Sequence, residues 1–309
     1  MTEASDLSIG WIGAGRMGVA MAARLAPGHR VAVWNRTRAK AEPLAELGCV
    51  IADEIAELRD RDVVFTMVST PEVLARVLLG PDGLLADPVL APRYVVDCST
   101  VSAEASAAVR AACVERGIGF LAAPVSGNAK VVAAGRLALA VSGPREVFDA
   151  LRPLLLTFGA SVTYVGVGEA ARLVKICHNL LLGVLTQALA EVTVLAEKGG
   201  VARADLLAFL NASVLGSVFT RYKTPAFVEL DYTPTFTPTL LRKDFDLGLA
   251  AAHDLDVPVP VAALTAQLVQ AAVATGRVNE DFAILLDVQA RAAGLVLEPE
   301  HADVDDGLG

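Results

Sequence analysis

From Glu169 to Lys198 the chain contains no proline and only one glycine, Gly183, and then comes the pair Gly199–Gly200. Proline breaks helices and glycine ends them, so this spacing predicts one long helix with a glycine stop. It exceeds the usual globular helix and is therefore expected to connect two domains.

The chain reads differently on either side of that segment. Before it, short runs rich in Val and Ile alternate with helical stretches. The runs are Leu7–Gly13, Arg30–Asn35, Asp62–Val68 and Arg93–Ser99, with helices expected at Arg16–Ala26 and Pro71–Leu79. Further strands are expected at Gly119–Ala123, Leu137–Ser142 and Ser161–Val165. Such alternation predicts a doubly wound, mostly parallel sheet. After it, the pattern is helical throughout, at Ala202–Asn211, Leu240–His253, Val261–Thr275 and Asp281–Arg291, with Pro234 and Pro238 punctuating a loop. No internal repeat is visible at solenoid spacing.

The quoted segment "GWIGAGRMG" places Gly13, Gly15 and Gly18 in G-x-G-x-x-G spacing. That spacing alone is a weak signal. Here it follows a strand and opens a helix, which makes it a dinucleotide fingerprint. Gly13 allows the turn, Gly15 lets backbone approach a pyrophosphate, and Gly18 allows close helix packing. Gly13, Ala14, Gly15, Arg16, Met17 and Gly18 are therefore expected to line the cofactor. The fold class is α/β: an N-terminal Rossmann-type sheet, a long linking helix and an all-α C-terminal domain. The expected divisions are residues 1–167, 168–198 and 199–297, with a flexible tail over 298–309.

The end of the second strand bears on cofactor choice. NAD enzymes usually place an acid there for the adenine ribose. This chain has Asn35, Arg36 and Thr37 instead, a set suited to a 2′-phosphate. NADP(H) is the expected cofactor, with NAD(H) as the alternative.

Composition narrows the function class. The 309 residues suffice for two domains, and 54% are hydrophobic, as in globular proteins. A formal charge of −9 disfavours nonspecific nucleic-acid binding. Cys49, Cys98, Cys113 and Cys177 show no paired spacing and read as reduced core thiols of a cytoplasmic protein, and no metal cluster is visible. The "MTEASDLS" start lacks a secretory pattern, and no run of about 20 uninterrupted apolar residues suggests a membrane span.

Near the start of the long helix lies "LVKICHN", with Lys175, His178 and Asn179 among apolar residues. Reduction of a carbonyl by hydride needs a proton delivered to the developing alkoxide. A partly desolvated lysine can do that. Asn179 lies one turn from Lys175, close enough to orient it or the substrate oxygen. On spacing alone Lys175 could equally snorkel to solvent. Histidine is the residue type that changes charge near neutral pH, and periodicity does not exclude His178 as the proton donor.

Four motifs in order resemble the β-hydroxyacid dehydrogenase family: "GAGRMGVAMAARL" with "WNRT", "DCSTVS", "APVSGNAKVVAAGRLALAVSG" and "GVGEAARLVKICHN", followed by "RKDFDLGLA". The resemblance spans roughly Ile9 to Gln289. It implies that Lys175 is the catalytic lysine and Asn179 the asparagine beside it. It gives Ser126, Gly127 and Asn128 to the substrate carboxylate, Thr100 and Lys243 to the nicotinamide half, and Val68 and Ser69 to the adenosine side. It further implies a small carboxylate-bearing substrate, helices that close the cleft, and a homodimer or homotetramer. His178 is then read as a supporting residue.

Ala122 and Asn128 depart from the frequent "DAPVSGG", and His178 from "K-x-x-N-N". Those changes bear on substrate more than on reaction class. An imine reductase or reductive aminase on the same fold is the alternative, although such enzymes usually lack the lysine. A non-catalytic nucleotide-binding protein is the other rival, disfavoured by the intact Lys175/Asn179 pair.

Overall fold

The computed structural model describes residues 7–308. Two compact units divide within the long helix, between Lys175 and Ile176, rather than at its ends.

In the first unit, β1 (Ile9–Ile12), β2 (Val31–Trp34), β3 (Val50–Ile51), β4 (Val63–Thr66), β5 (Tyr94–Asp97) and β6 (Gly119–Ala122) lie in the order 3-2-1-4-5-6, all parallel. Beyond β6 the sheet turns mixed. β7 (Val125–Ser126) and β6 both pair antiparallel to β8 (Ala138–Ser142), and β9 (Ser161–Gly166) runs parallel to β8. β1 and β4 are buried at every position, as expected where helices cover both faces. Alternate side chains feed separate cores. Trp11, Val33 and Phe65 enter one core, while Ile12, Ala32 and Val64 enter the other. Trp11 stacks on Phe65 and meets Phe158 edge-on.

The helices of this unit are α1 (Arg16–Leu25), α2 (Pro71–Leu79), α3 (Ala103–Glu115), α4 (Ala129–Ala133), α5 (Arg145–Leu155) and the beginning of α6 (Ala170–Lys198). The long helix thus has the extent its proline-free sequence predicts. The short strands β3 and β7 and the helices α3, α4 and α5 were not anticipated from pattern.

The second unit contains the rest of α6, then α7 (Arg203–Ala212), α8 (Val218–Val228), α9 (Pro238–Asp254), α10 (Pro260–Ala274) and α11 (Leu285–Ala292). Pro238 opens α9 rather than sitting in a loop; it follows the N-cap Thr237, where its missing N–H is harmless. The tail, expected to fray, is held down. Leu297 and Leu308 are buried. The Glu300 carboxylate accepts from the backbone N–H groups of Arg203 and Ala204 at the start of α7. The buried Arg203 guanidinium donates to the carbonyls of Phe227, Val228 and Glu298.

Three of the four free thiols are buried as expected, but Cys177 is exposed. By length and composition alone α6 could cross a membrane, with mean hydropathy 1.6 over its most apolar stretch. Its buried residues include Arg172, Asn179, Thr186, Gln187 and Thr193, polar groups packed within protein.

Candidate active site

The glycine loop joins β1 to α1. Gly13 has φ +106°, and a Cβ there would stand 2.3 Å from the Met67 carbonyl oxygen. A Cβ on Gly18 would stand 1.9 Å from the Gly13 carbonyl oxygen. Neither position admits a side chain. Gly15 is exposed, and a Cβ there would meet nothing within 4 Å. It caps α1 without a side-chain hydrogen bond, and no acid lies in the first turn. The result is an open, backbone-lined helix N-terminus, which suits a pyrophosphate.

Three bonds fix the loop. The Trp11 indole N–H donates to the Gly13 carbonyl at 2.9 Å. Gly13 N–H donates to the Trp34 carbonyl at 2.9 Å. Ala14 N–H donates to Asn35 Oδ1 at 2.8 Å, and the Asn35 amide in turn donates to the Thr37 carbonyl. Asn35, one of the set expected to suit a 2′-phosphate, braces the loop with its side-chain amide. Arg38 is paired with Asp53. Arg36 and Thr37 are exposed beside it, so Arg36 is the guanidinium at this strand end not engaged with Asp53.

At the neighbouring strand ends, Val68 and Thr100 are half-buried and Ser69 is exposed. Val68 N–H donates to Ser99 Oγ at 2.9 Å, and Ser99 Oγ donates to Asp97 Oδ1 at 2.6 Å. Ser126 ends β7, and Gly127 follows with φ +138°. Asn128 is buried; its Oδ1 caps α4 by accepting from Val131 N–H at 3.0 Å. Its Nδ2 is buried with no hydrogen-bond partner among the described residues. That loop therefore holds an uncommitted donor, where a second glycine is frequent in the motif it resembles.

On α6, Lys175 is half-buried and closes the first unit. His178 and Asn179, one turn on, belong to the second. Asn179 is 2% exposed, and its Nδ2 donates to Asp244 Oδ2 at 2.5 Å. Asp244 is also buried and lies 3.3 Å from Lys243 Nζ. A carboxylate only accepts, so it turns the Asn179 amide oxygen toward His178 Nδ1, 2.8 Å away. Nδ1 then carries the proton, which sets the histidine tautomer. Sequence reasoning gave no role to Asp97, Ser99, Arg172 or Asp244. All four lie within the quoted motifs; for Asp97, Arg172 and Asp244 the signal available was a charged residue inside a segment expected to be buried, and Ser99 carried none.

A parallel 3-2-1-4-5-6 sheet with an open glycine loop after its first strand defines a dinucleotide-binding unit. Residues 8–166 match the family model described as the NAD binding domain of 6-phosphogluconate dehydrogenase. Residues 169–289 match that described as NAD-binding of NADP-dependent 3-hydroxyisobutyrate dehydrogenase. Glyoxylate/succinic semialdehyde reductase 1 of Arabidopsis thaliana is 30% identical over 91% of this chain and 98% of its own. A crystal structure of 3-hydroxyisobutyrate dehydrogenase from Salmonella typhimurium has TM-score 0.82 at 26% identity, covering 92% of this chain and 100% of that one. The cytokine-like nuclear factor N-PAC of Xenopus tropicalis is 31% identical over 90% of this chain, which spans about half, 52%, of that relative's length. The chain belongs to the β-hydroxyacid dehydrogenase family.

Proposed function

We propose that this protein is a nicotinamide-dependent oxidoreductase that interconverts a small β-hydroxyacid and its semialdehyde, using NADP(H), with Lys175 as general acid/base. The observation that carries the reading is Lys175 itself, a half-buried lysine in the first turns of α6, with Val174 and Ile176 on either side of it in the chain. The dinucleotide fold supports the cofactor class, and exposed Arg36 in the segment after β2, Asn35–Arg36–Thr37, which carries no acid of its own, supports the 2′-phosphate.

When bound, the reduced nicotinamide supplies the hydride. The residues of this chain do the rest. The glycine loop and the N-terminus of α1 hold the pyrophosphate. Ser126 with the backbone of Gly127 and Asn128 receives the substrate carboxylate by charge-assisted bonds. Lys175 Nζ gives its proton to the carbonyl oxygen as the alcohol forms, and takes it back in the oxidising direction. Asn179 is held by Asp244 and orients the reacting oxygen or the lysine.

We further propose a homodimer or homotetramer. Leu181, Leu185, Ala188, Val192 and Leu195 are exposed on α6 at alternating four- and three-residue steps. That is the spacing of a helix-pairing seam. The buried free thiols suit a reducing compartment, and we assign the protein to the cytoplasm.

The test is NADPH oxidation with glyoxylate, succinic semialdehyde, tartronate semialdehyde and a cyclic imine, and NADP+ reduction with 3-hydroxyisobutyrate, on wild type and Lys175→Ala. The expected result is turnover of one small acid and a loss of about 10²–10⁴ in kcat for the variant, the range of general acid catalysis. Near-normal kcat in Lys175→Ala sinks the lysine mechanism. Turnover of the imine alone sinks the substrate class.

A further inference from the structure

Arg172 lies in the first turn of α6, three residues before Lys175, and is 1% exposed. Its guanidinium reaches three groups. Nε donates to Ser106 Oγ at 3.0 Å, Nη1 to the Ser99 carbonyl at 2.6 Å, and Nη2 to Asp97 Oδ2 at 2.5 Å. Asp97 is fully buried at the end of β5. Its other oxygen accepts from Thr66 Oγ1, at the end of β4, and from Ser99 N–H and Oγ. Ser99 Oγ accepts from Val68 N–H at 2.9 Å.

One carboxylate thus collects the carboxyl ends of β4 and β5 and the start of α6. Ligands of open α/β sheets bind at those strand ends. The three segments joined here also carry the residues given to cofactor and proton: Val68 and Ser69, Thr100, and Lys175. A buried ion pair is weak evidence for stability, because well-packed apolar residues often serve as well. What a planar guanidinium adds is direction, since its donors are fixed in one plane. Further bonds hold the same turn. Arg110 pairs with Glu169 at 2.9 Å. Ser142 Oγ donates to the Gly168 carbonyl and accepts from Ala171 N–H.

We propose that Arg172 is a positioning residue: through Asp97 it sets the register between the α6 turn that bears Lys175 and the strand-end loops of Val68–Ser69 and Thr100. This rests on the oxidoreductase reading above. It assigns Arg172 no contact with substrate or cofactor.

The variants are Arg172→Lys, which keeps charge and loses the fork, and Arg172→Gln/Asp97→Asn, which removes both charges and keeps hydrogen-bonding groups. A 1 Å displacement of a reacting group can cost about a hundredfold, so kcat in a folded variant should fall at least about tenfold. The Kd for NADPH, from fluorescence titration, should weaken by a smaller factor than kcat falls, because the glycine loop is untouched while only the Val68–Ser69 and Thr100 loops shift. The primary isotope effect with 4-deuterated NADPH should rise as hydride transfer becomes limiting, which a loss of stability alone would not produce. A folded double variant with wild-type kcat and isotope effect overturns the proposal. If the double variant does not fold, Arg172→Lys decides by the same two readouts. If wild type turns over none of the substrates, the oxidoreductase reading fails instead. Arg172→Lys is then judged by the rate at which pyridoxal phosphate and borohydride label Lys175, read by peptide mass. A rate changed threefold or more supports the positioning role, and an unchanged rate overturns it.

Discussion

Three polar residues near the candidate site take their roles from their neighbours. Asn35 is turned inward to hold Ala14, Asn179 is held by Asp244, and His178 is oriented by Asn179. Residue type alone reveals none of this. His178→Asn keeps a donor that can reach the Asn179 oxygen, so its kcat should stay within a few-fold of wild type. A loss as deep as that of Lys175→Ala would make histidine the proton donor. Arg36→Ala removes an exposed guanidinium opposite the expected 2′-phosphate. Charge-assisted bonds contribute about 1.5–3 kcal/mol, so kcat/KM with NADPH should fall roughly 10- to 100-fold while that with NADH stays level. Parallel steady-state assays with both cofactors check this, and an equal fall with both would remove the 2′-phosphate from the explanation.

At the scale of elements, α6 and α9 cross closely because both carry glycine at the contact. A Cβ on Gly183 would lie 2.3 Å from Phe245 Cε2, and one on Gly248 would lie 2.6 Å from Leu180 Cδ2. Phe245 and Leu241, the neighbours of Gly183, are fully buried and have nowhere to retreat. Gly183→Ala gains about 1 kcal/mol of helix propensity and loses about 1–3 kcal/mol to overpacking. The overpacking should win, lowering Tm. A raised Tm would mean the crossing can relax. From sequence, Gly183 read only as a tolerated interruption of a long helix. Its reason lies on another helix, which one-dimensional pattern cannot show.

For the molecule as a whole, acid stability in the second unit centres on Asp281. Burial raises its pKa. The charge and hydrogen bond of Lys223, with the Thr235 hydroxyl and Ala283 N–H, outweigh that and hold the carboxyl below its usual range. The unfolded chain therefore binds this proton first as pH falls. The stabilisation is complete above about pH 4 and is lost as pH drops through the depressed folded value. Asp281→Asn leaves the buried Lys223 charge without its counterion, so stability should fall by about 3–5 kcal/mol at neutral pH. The slope of stability against pH below 4 should also flatten. Urea melts from pH 2 to 6 followed by circular dichroism check both, and an unchanged slope would show that another carboxyl governs the acid limb.

The sequence by itself determined the alternating α/β half, the helix after it, the glycine loop and the lysine on α6. Each of these follows from rules that act within a few residues: side-chain periodicity, helix breaking by proline, and backbone positions only glycine can take. The tertiary structure decided what depends on partners distant in the chain. It pinned the tail through Glu300 and Arg203, turned Asn35 onto the glycine loop, and drew Arg172 to Asp97. A buried polar group must find its hydrogen bonds wherever folding places a partner, and no local pattern says where that is.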